Sequence, residues 1–220
     1  MINIKVSEEF KKNCPAFVGV AIYAKTLNSK HNENLWVDIN KCAKEFKSTH
    51  DMEAIKQNPA IAATRGAYKK LGKDPNRYRP SSEALCRRII RGLPLYQIDT
   101  LVDLVNLVSI KTGYSIGGFD ADKIQGDTLI LGVGKAEEPY EAIGRGLMNI
   151  EGLPVYRDKI GGIGTPTSDH ERTKISTNTT SFLAIINGYD GKDGLKDAVE
   201  YMQSLLRRYT NSDGGKAFYF

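Results

Sequence analysis

Apolar residues recur every three to four positions along much of the first half of the chain, a spacing that predicts helices. After an apolar strand at 17–24, the predicted helices cover residues 35–57, 59–71, 82–91 and 100–112. Asn58 and Pro59 suit the start of the second helix, and Ser81 suits the N-cap of the third. The first half of the chain is therefore expected to be mainly helical.

The second half shows short apolar runs separated by turns rich in Gly and Asp, which predicts strands. The predicted strands cover residues 114–119, 128–133, 153–157 and 181–187. An amphipathic helix follows at 193–210, and the C-terminal residues AFYF suit an edge strand. Helices followed mostly by strands favour the α+β class over an alternating parallel sheet.

The helix predicted over 100–112 is apolar around most of its circumference, which is typical of a buried helix. Its polar exceptions, Asp103, Asn106 and Ser109, are spaced by three along one narrow line. Buried polar groups need hydrogen-bond partners. One interpretation is that these side chains bind nearby loop backbone and fix the fold. The other is that Asn106 faces a pocket.

Composition limits the classes of protein that fit. The chain has 220 residues, 40% of them hydrophobic, which suits a single domain. No apolar run approaches the ~20 residues of a membrane helix, and the N-terminus does not resemble a secretion signal, so a cytoplasmic protein is expected. The three cysteines and three histidines show no metal-ligand spacing. We therefore expect reduced thiols, no metal and no cofactor.

Positive charge is concentrated between residues 65 and 91, here called the basic segment. Nine basic residues face two acidic ones there, a net charge of +7, whereas the whole chain carries +5. The nine are Arg65, Lys69, Lys70, Lys73, Arg77, Arg79, Arg87, Arg88 and Arg91. Phosphate groups, and hence tRNA, are the expected partner. The alternative is a solvated basic face that pairs with acidic residues elsewhere.

The stretch GGIGTPTSDHERTKIS, residues 161–176, combines many reactive polar groups with few apolar ones. Asp169, His170 and Glu171 are candidates to orient a water molecule, and the hydroxyls of Thr165, Thr167 and Ser168 are candidates to bind a carbonyl oxygen. Arg172 has the geometry to grip a carboxylate or phosphate. The alternative interpretation is a solvated loop whose side chains cap local turns.

Residues 101–124, LVDLVNLVSIKTGYSIGGFDADKI, carry a specific pattern. A Val-Asp-x-x-Asn segment is followed by a Gly-rich turn and a Phe-Asp-x-Asp-Lys motif. These positions are Val102, Asp103, Asn106, Phe119, Asp120, Asp122 and Lys123. The pattern resembles the B3/B4 module in the β-subunit of bacterial phenylalanyl-tRNA synthetase.

Upstream, YKKLGKDP and RPSSEALCRR look like a stand-alone branch of that family. The resemblance covers roughly residues 55–190. No internal repeat or low-complexity linker divides the chain, so we expect one domain over 1–220, with an N-terminal extension at 1–54, the core module at 55–190 and a C-terminal helix and tail at 191–220. The implied fold is a three-layer α+β arrangement containing an unusual β-sandwich. In the synthetase the module edits, hydrolysing tyrosine from wrongly charged phenylalanine tRNA.

One departure from the family bears on activity. Gly117 occupies the position of the editing histidine, and Gly118 replaces a small alanine. The resemblance implies a ligand pocket lined by Asn106, Gly117, Gly118, Asp120, Thr165, Thr167, Ser168, Arg172 and Thr173. Two functions stay open: a hydrolase of mischarged aminoacyl-tRNA acting in trans, or a non-catalytic module that binds tRNA or an amino acid.

Overall fold

A computed structural model gives the structure of residues 2–220. Its helices are α1 (Glu8–Asn13), α2 (Glu33–Thr49), α3 (Met52–Gln57), α4 (Pro59–Lys70), α5 (Ser81–Ile90), α6 (Thr100–Thr112) and α7 (Leu195–Tyr209). Its strands are β1 (Asn3–Val6), β2 (Val18–Lys25), β3 (Ile116–Asp120), β4 (Thr128–Val133), β5 (Glu141–Ala142), β6 (Gly146–Leu147), β7 (Pro154–Arg157), β8 (Gly162–Gly164), β9 (Ser181–Gly188) and β10 (Lys216–Tyr219). None of the helices within these residues has the length and hydropathy needed to cross a bilayer.

Most predicted elements are confirmed with shifts of one or two residues, but two local predictions were wrong. The helix expected over 35–57 is divided into α2 and α3, because His50 is extended and the Asp51 carboxylate caps a new helix by accepting from Glu53 N and Ala54 N. Ser81 is not an N-cap. It is the first residue of α5, and its amide donates to Pro166 O.

Eight of the ten strands described form two four-stranded sheets, and β5 and β6 pair with each other. The outer sheet has the order β1-β4-β7-β8, and the central sheet has the order β10-β2-β9-β3. One apolar cluster fills the space between the sheets, and another lies between the central sheet and helices α2, α6 and α7. The molecule therefore has three layers, outer sheet, central sheet and helices, and the predicted α+β class with a β-sandwich is confirmed.

The side chains of β9 show how one strand serves both cores. Phe182, Ala184 and Ile186 pack with the helices, while Leu183 and Ile185 point toward the outer sheet. Successive side chains of a strand alternate between its faces. Because both faces are covered, β9 is apolar from Phe182 to Ile186 rather than alternating.

The N-terminal residues belong to both sheets. β1 pairs in parallel with β4, and β2 lies between β9 and β10 in the central sheet. The predicted edge strand at the C-terminus is confirmed as β10. The proposed division of the chain at residues 54 and 190 stays a prediction, although residues from all three parts share the central sheet.

Helix α6 is buried as predicted, with Asp99 as its N-cap and Gly113 in the left-handed conformation at its end. One of its polar side chains has a clear structural role: the Asp103 carboxylate accepts from Trp36 Nε1 at 2.7 Å and from Ile98 N at 3.1 Å. These bonds join α6 to α2 and to the preceding loop, as the structural interpretation of this residue expects.

Candidate functional site

The Asp169 carboxylate lies against two glycine-containing strands. Its Oδ2 accepts a hydrogen bond from Gly118 N in β3 at 3.0 Å, and its backbone forms an isolated bridge with Gly164 at the end of β8. Residues far apart in the sequence thus meet at this carboxylate. The structure brings three predicted site residues together here: Gly117, Gly118 and Asp169.

Glycine is needed at this site because the space beside it is filled. A Cβ on Gly117 would lie 2.7 Å from Phe119 Cζ and 3.5 Å from Asp169 Oδ1. A Cβ on Gly164 would lie 2.5 Å from Phe119 Cζ and 2.9 Å from Asp169 Oδ1. Both glycines therefore make room for the buried Phe119 ring and for the Asp169 carboxylate beside it.

Burial raises the pKa of Asp169 to about 7, against the opposing effect of the Gly118 hydrogen bond. The residue as a whole is partly exposed to solvent. A carboxylate with a pKa near neutral pH has the proton affinity that suits a general base. Asp169 is thus the chemically distinctive group among the three catalytic candidates.

The turn before Asp169 is held by hydroxyl groups. Thr165 Oγ1 donates to Ser168 O at 3.0 Å and accepts from Thr167 N and Ser168 N at 3.2 and 3.1 Å. Tyr140 OH donates to Ser168 O at 2.8 Å, and Tyr68 OH lies 2.9 Å from Thr167 Oγ1. The threonine hydroxyls predicted to bind a ligand carbonyl are thus engaged in shaping the turn.

The two other catalytic candidates differ from Asp169. His170 Nδ1 accepts from Arg172 N at 3.0 Å, and its ring packs edge-on against Tyr140 at 5.0 Å. Burial, with the nearby charge of Arg172, lowers the pKa of His170. Glu171 pairs with Lys174, and this contact lowers the pKa of the glutamate. Both side chains already make contacts within the protein, and the pKa of each is lowered rather than raised.

Arg172 is held by an internal ion pair. Its two terminal nitrogens donate to the Asp158 carboxylate at 2.8 and 2.9 Å. Burial alone would raise the pKa of Asp158, but Arg172 and three backbone N–H groups lower it. The Arg172 guanidinium, which the sequence predicts to bind a ligand, is therefore already paired with Asp158. Sequence analysis did not identify that partner.

The remaining predicted pocket residues lie around this centre. Asp120 accepts from Thr179 Oγ1 at 2.9 Å and pairs with Lys123, so its carboxylate stabilises the turn after β3. Thr173 is fully buried. Asn106 is partly exposed and follows Val105, whose Cγ2 would lie 3.5 Å from a Cβ on Gly118. The approach of the Asn106 side chain to the 165–172 segment stays a prediction.

The basic segment divides into engaged and exposed residues. Lys73 is buried, donates to Asn149 O at 2.9 Å and lies over the Tyr78 ring, and burial lowers its pKa. Arg88 stacks on Tyr96 at 4.0 Å. Three arginines surround the buried Glu83: Arg65, Arg79 and Arg87. The side chains that remain exposed are those of Lys69, Lys70, Arg77 and Arg91.

Comparison with known proteins identifies the family. The family model described as the B3/4 domain matches residues 63–211. This chain belongs to the B3/4 domain family. The match includes the basic segment, the glycines of β3 and β8, and Asp169, so the candidate site lies within the B3/4 domain.

One solved structure similar to this B3/4 protein is an N-terminal fragment of the phenylalanyl-tRNA synthetase β-subunit from Pyrococcus horikoshii. The TM-score is 0.51 at 16% identity, over 98% of this chain and 50% of the fragment. At that identity the likeness shows the fold alone, and the B3/4 protein spans about half of the fragment. No curated protein matches the sequence.

Proposed function

We propose that this B3/4 protein hydrolyses the ester of mischarged aminoacyl-tRNA in trans, in the cytoplasm, with Asp169 as the general base. The observation that supports this most is the Asp169 carboxylate held by Gly118 N at 3.0 Å beside Gly117. Gly117 occupies the position that the family resemblance gives to the editing histidine. In this proposal a carboxylate brought in from the neighbouring turn supplies the proton-accepting group that Gly117 lacks.

The chemistry follows from the pKa of about 7 that burial gives Asp169. The ionised carboxylate accepts a proton from water while the water oxygen attacks the ester carbonyl carbon. The bond from that carbon to the ribose oxygen then breaks, and the proton passes to the ribose oxygen. A base with a pKa near the working pH is well matched to this transfer.

The exposed part of the basic segment supports tRNA as the carrier of the ester. The side chains of Lys69, Lys70, Arg77 and Arg91 are open to solvent. Lysine and arginine side chains bind phosphate backbones by releasing counterions, without reading the sequence. The segment lies in helices α4 and α5 and the loop between them. Pro166, in the turn that leads to Asp169, accepts a hydrogen bond from Ser81 at the start of α5.

The test is release of amino acid from a panel of mischarged tRNAs, each labelled on the amino acid. We expect release above background for at least one member and its loss in Asp169→Asn. Asp127→Asn, the same change at an exposed aspartate, should match the wild type. No release from any tRNA at any protein concentration would exclude the hydrolase.

A second function is favoured by the absence of a side chain at Gly117 and by the internal contacts of the Thr165, Thr167 and Arg172 side chains. It is binding of tRNA or an amino acid without turnover. Binding of tRNA whose log affinity falls with log salt at a slope of about −0.7 to −0.9 per phosphate, with no release of amino acid, would identify this function. Amino-acid binding that is independent of salt would point to the small ligand.

A further inference from the structure

Glu83 and its three arginines form a cluster, here called the Glu83 cluster, in which donors outnumber acceptors. Glu83 is 1% exposed and lies 2.8 Å from Arg65 Nη1, 3.5 Å from Arg87 Nη1 and 3.6 Å from Arg79 Nε. Three guanidinium groups and one carboxylate leave a net charge of +2. One carboxylate has too few lone pairs to satisfy three guanidinium groups.

The unsatisfied donors lie on two of the three arginines. Arg65 makes three hydrogen bonds, to Glu83 Oε2 and Asn76 Oδ1 at 2.8 Å and to Pro75 O at 3.4 Å. In contrast, Arg79 Nε and Arg87 Nε are buried and have no hydrogen-bond partner within residues 2–220. A bound ion would give these buried donors the acceptors that the folded chain does not supply.

Arg79 and Arg87 are also reachable from outside. Their side chains are 34% and 18% exposed, whereas that of Arg65 is 11% exposed. Both are four residues from Glu83 along the chain, one before it and one after, and both approach the same carboxylate oxygen, Oε1. The buried Glu83 carboxylate thus holds two arginine side chains that a second anion can approach from solvent.

We propose that Arg79 and Arg87 bind a single phosphate group, with Glu83 and Arg65 positioning them. A guanidinium fork matches the oxygens of phosphate, and an ammonium group does not reproduce that geometry. The phosphate belongs either to an RNA backbone or to a free phosphorylated small molecule. This assigns to two residues a defined site, distinct from the diffuse attraction of the exposed lysines.

The cluster is attached to the same elements as the Asp169 turn. Ser81 N at the start of α5 donates to Pro166 O at 2.8 Å, and Tyr68 OH in α4 lies 2.9 Å from Thr167 Oγ1. With aminoacyl-tRNA as substrate, a phosphate on the Glu83 cluster would anchor the RNA on the scaffold that holds Asp169. Only this last step rests on the proposed function.

Titration with inorganic phosphate, followed by calorimetry in a buffer free of phosphate and sulfate, tests the site. We expect saturable binding by the wild type. The Arg79→Lys/Arg87→Lys variant keeps the charge but loses both forks, so its affinity should fall at least about tenfold. Lys192→Ala/Lys196→Ala removes two exposed charges outside the basic segment and should change the affinity less than about twofold. If the Arg79→Lys/Arg87→Lys variant does not fold, the single variants Arg79→Lys and Arg87→Lys replace it.

The source of the phosphate is settled by repeating the titration with a ribonucleoside monophosphate and with a short single-stranded RNA. If the Arg79→Lys/Arg87→Lys variant binds the RNA more weakly than the wild type does, the site takes a backbone phosphate. If the variant loses affinity only for the monophosphate, the site takes a small metabolite. Absence of saturable phosphate binding by the wild type, or equal losses in the two double variants, would overturn the site. Because no ester is cleaved in these measurements, the outcome is independent of whether the protein is a hydrolase.

Discussion

The Asp169 carboxylate accepts the amide hydrogen of Gly118 at 3.0 Å, across 51 positions of the chain. This bond joins the turn after β8 to β3 at the point where two glycines leave no side chains. It fixes one carboxylate oxygen in place. Burial of the same carboxylate raises its pKa to about 7, so the bond orients a group that changes protonation in the neutral range.

The first prediction concerns the pH dependence of deacylation. If ionised Asp169 is the general base, the rate above background should rise as pH increases through about 7 and level off above it. Asp169→Asn keeps the shape and an acceptor for Gly118 N but cannot take a proton. Its rate should be lower by about 100-fold or more, with no inflection near pH 7. Rates with one mischarged tRNA between pH 5.5 and 8.5 measure both effects, and an unchanged inflection in the variant would exclude Asp169.

The architecture was largely predictable because it depends on local patterns. The spacing of apolar residues located α4, α6 and α7, and alternating or continuous apolar runs located β2 and β9. The caps at Asn58 and Asp99 were also predictable, since each side chain binds the helix backbone three residues ahead. β1 was missed because a four-residue strand beside β4 leaves only a short pattern.

The site was less predictable because its character comes from residues distant in sequence. Asp169 was one of three adjacent candidates, and only the contact with Gly118 and burial distinguish it from Glu171. Arg172 looked available because its partner, Asp158, lies 14 residues away in another loop. Glu83 lies in the first turn of α5, a common position for an acidic residue, yet it is buried among arginines. A local sequence pattern carries no information about contacts between residues that are distant in the sequence.

The second prediction links Asp169 to the stability of the fold. The pKa is about 7 in the folded state and near 3.8 in the unfolded chain, so the folded state holds an extra proton between those values. The contribution of Asp169 to stability is therefore fully present below pH 4 and is lost as pH rises through 7. Relative to wild type, Asp169→Asn should gain about 4 kcal/mol between pH 4 and 8, because each pKa unit corresponds to about 1.4 kcal/mol. Urea unfolding at several pH values measures this difference, and a constant difference would contradict the shifted pKa.

The third prediction concerns the glycines beside the carboxylate. Gly164→Ala places a Cβ 2.5 Å from the Phe119 ring and 2.9 Å from Asp169 Oδ1, so the ring and the carboxylate must move. We expect a loss of about 1–3 kcal/mol in the free energy of unfolding and reduced deacylation. Gly161→Ala is the matched control, because a Cβ there meets nothing within 4 Å, and it should change stability by less than about 0.5 kcal/mol. Equal effects of the two substitutions in thermal unfolding would contradict the packing described.

The fourth prediction concerns the one carboxylate that holds three arginines. Glu83→Gln keeps the size of the side chain but removes the carboxylate that pairs with Arg65, Arg79 and Arg87. Removing one member of a buried ion pair leaves the other charges uncompensated, so we expect a loss of about 3 kcal/mol. Glu200→Gln, in an ion pair 3.8 Å long whose side chains are 63% and 80% exposed, should cost less than about 0.5 kcal/mol. Chemical denaturation of both variants gives the comparison. Equal losses in the two variants would contradict the role of Glu83 in holding the three arginines.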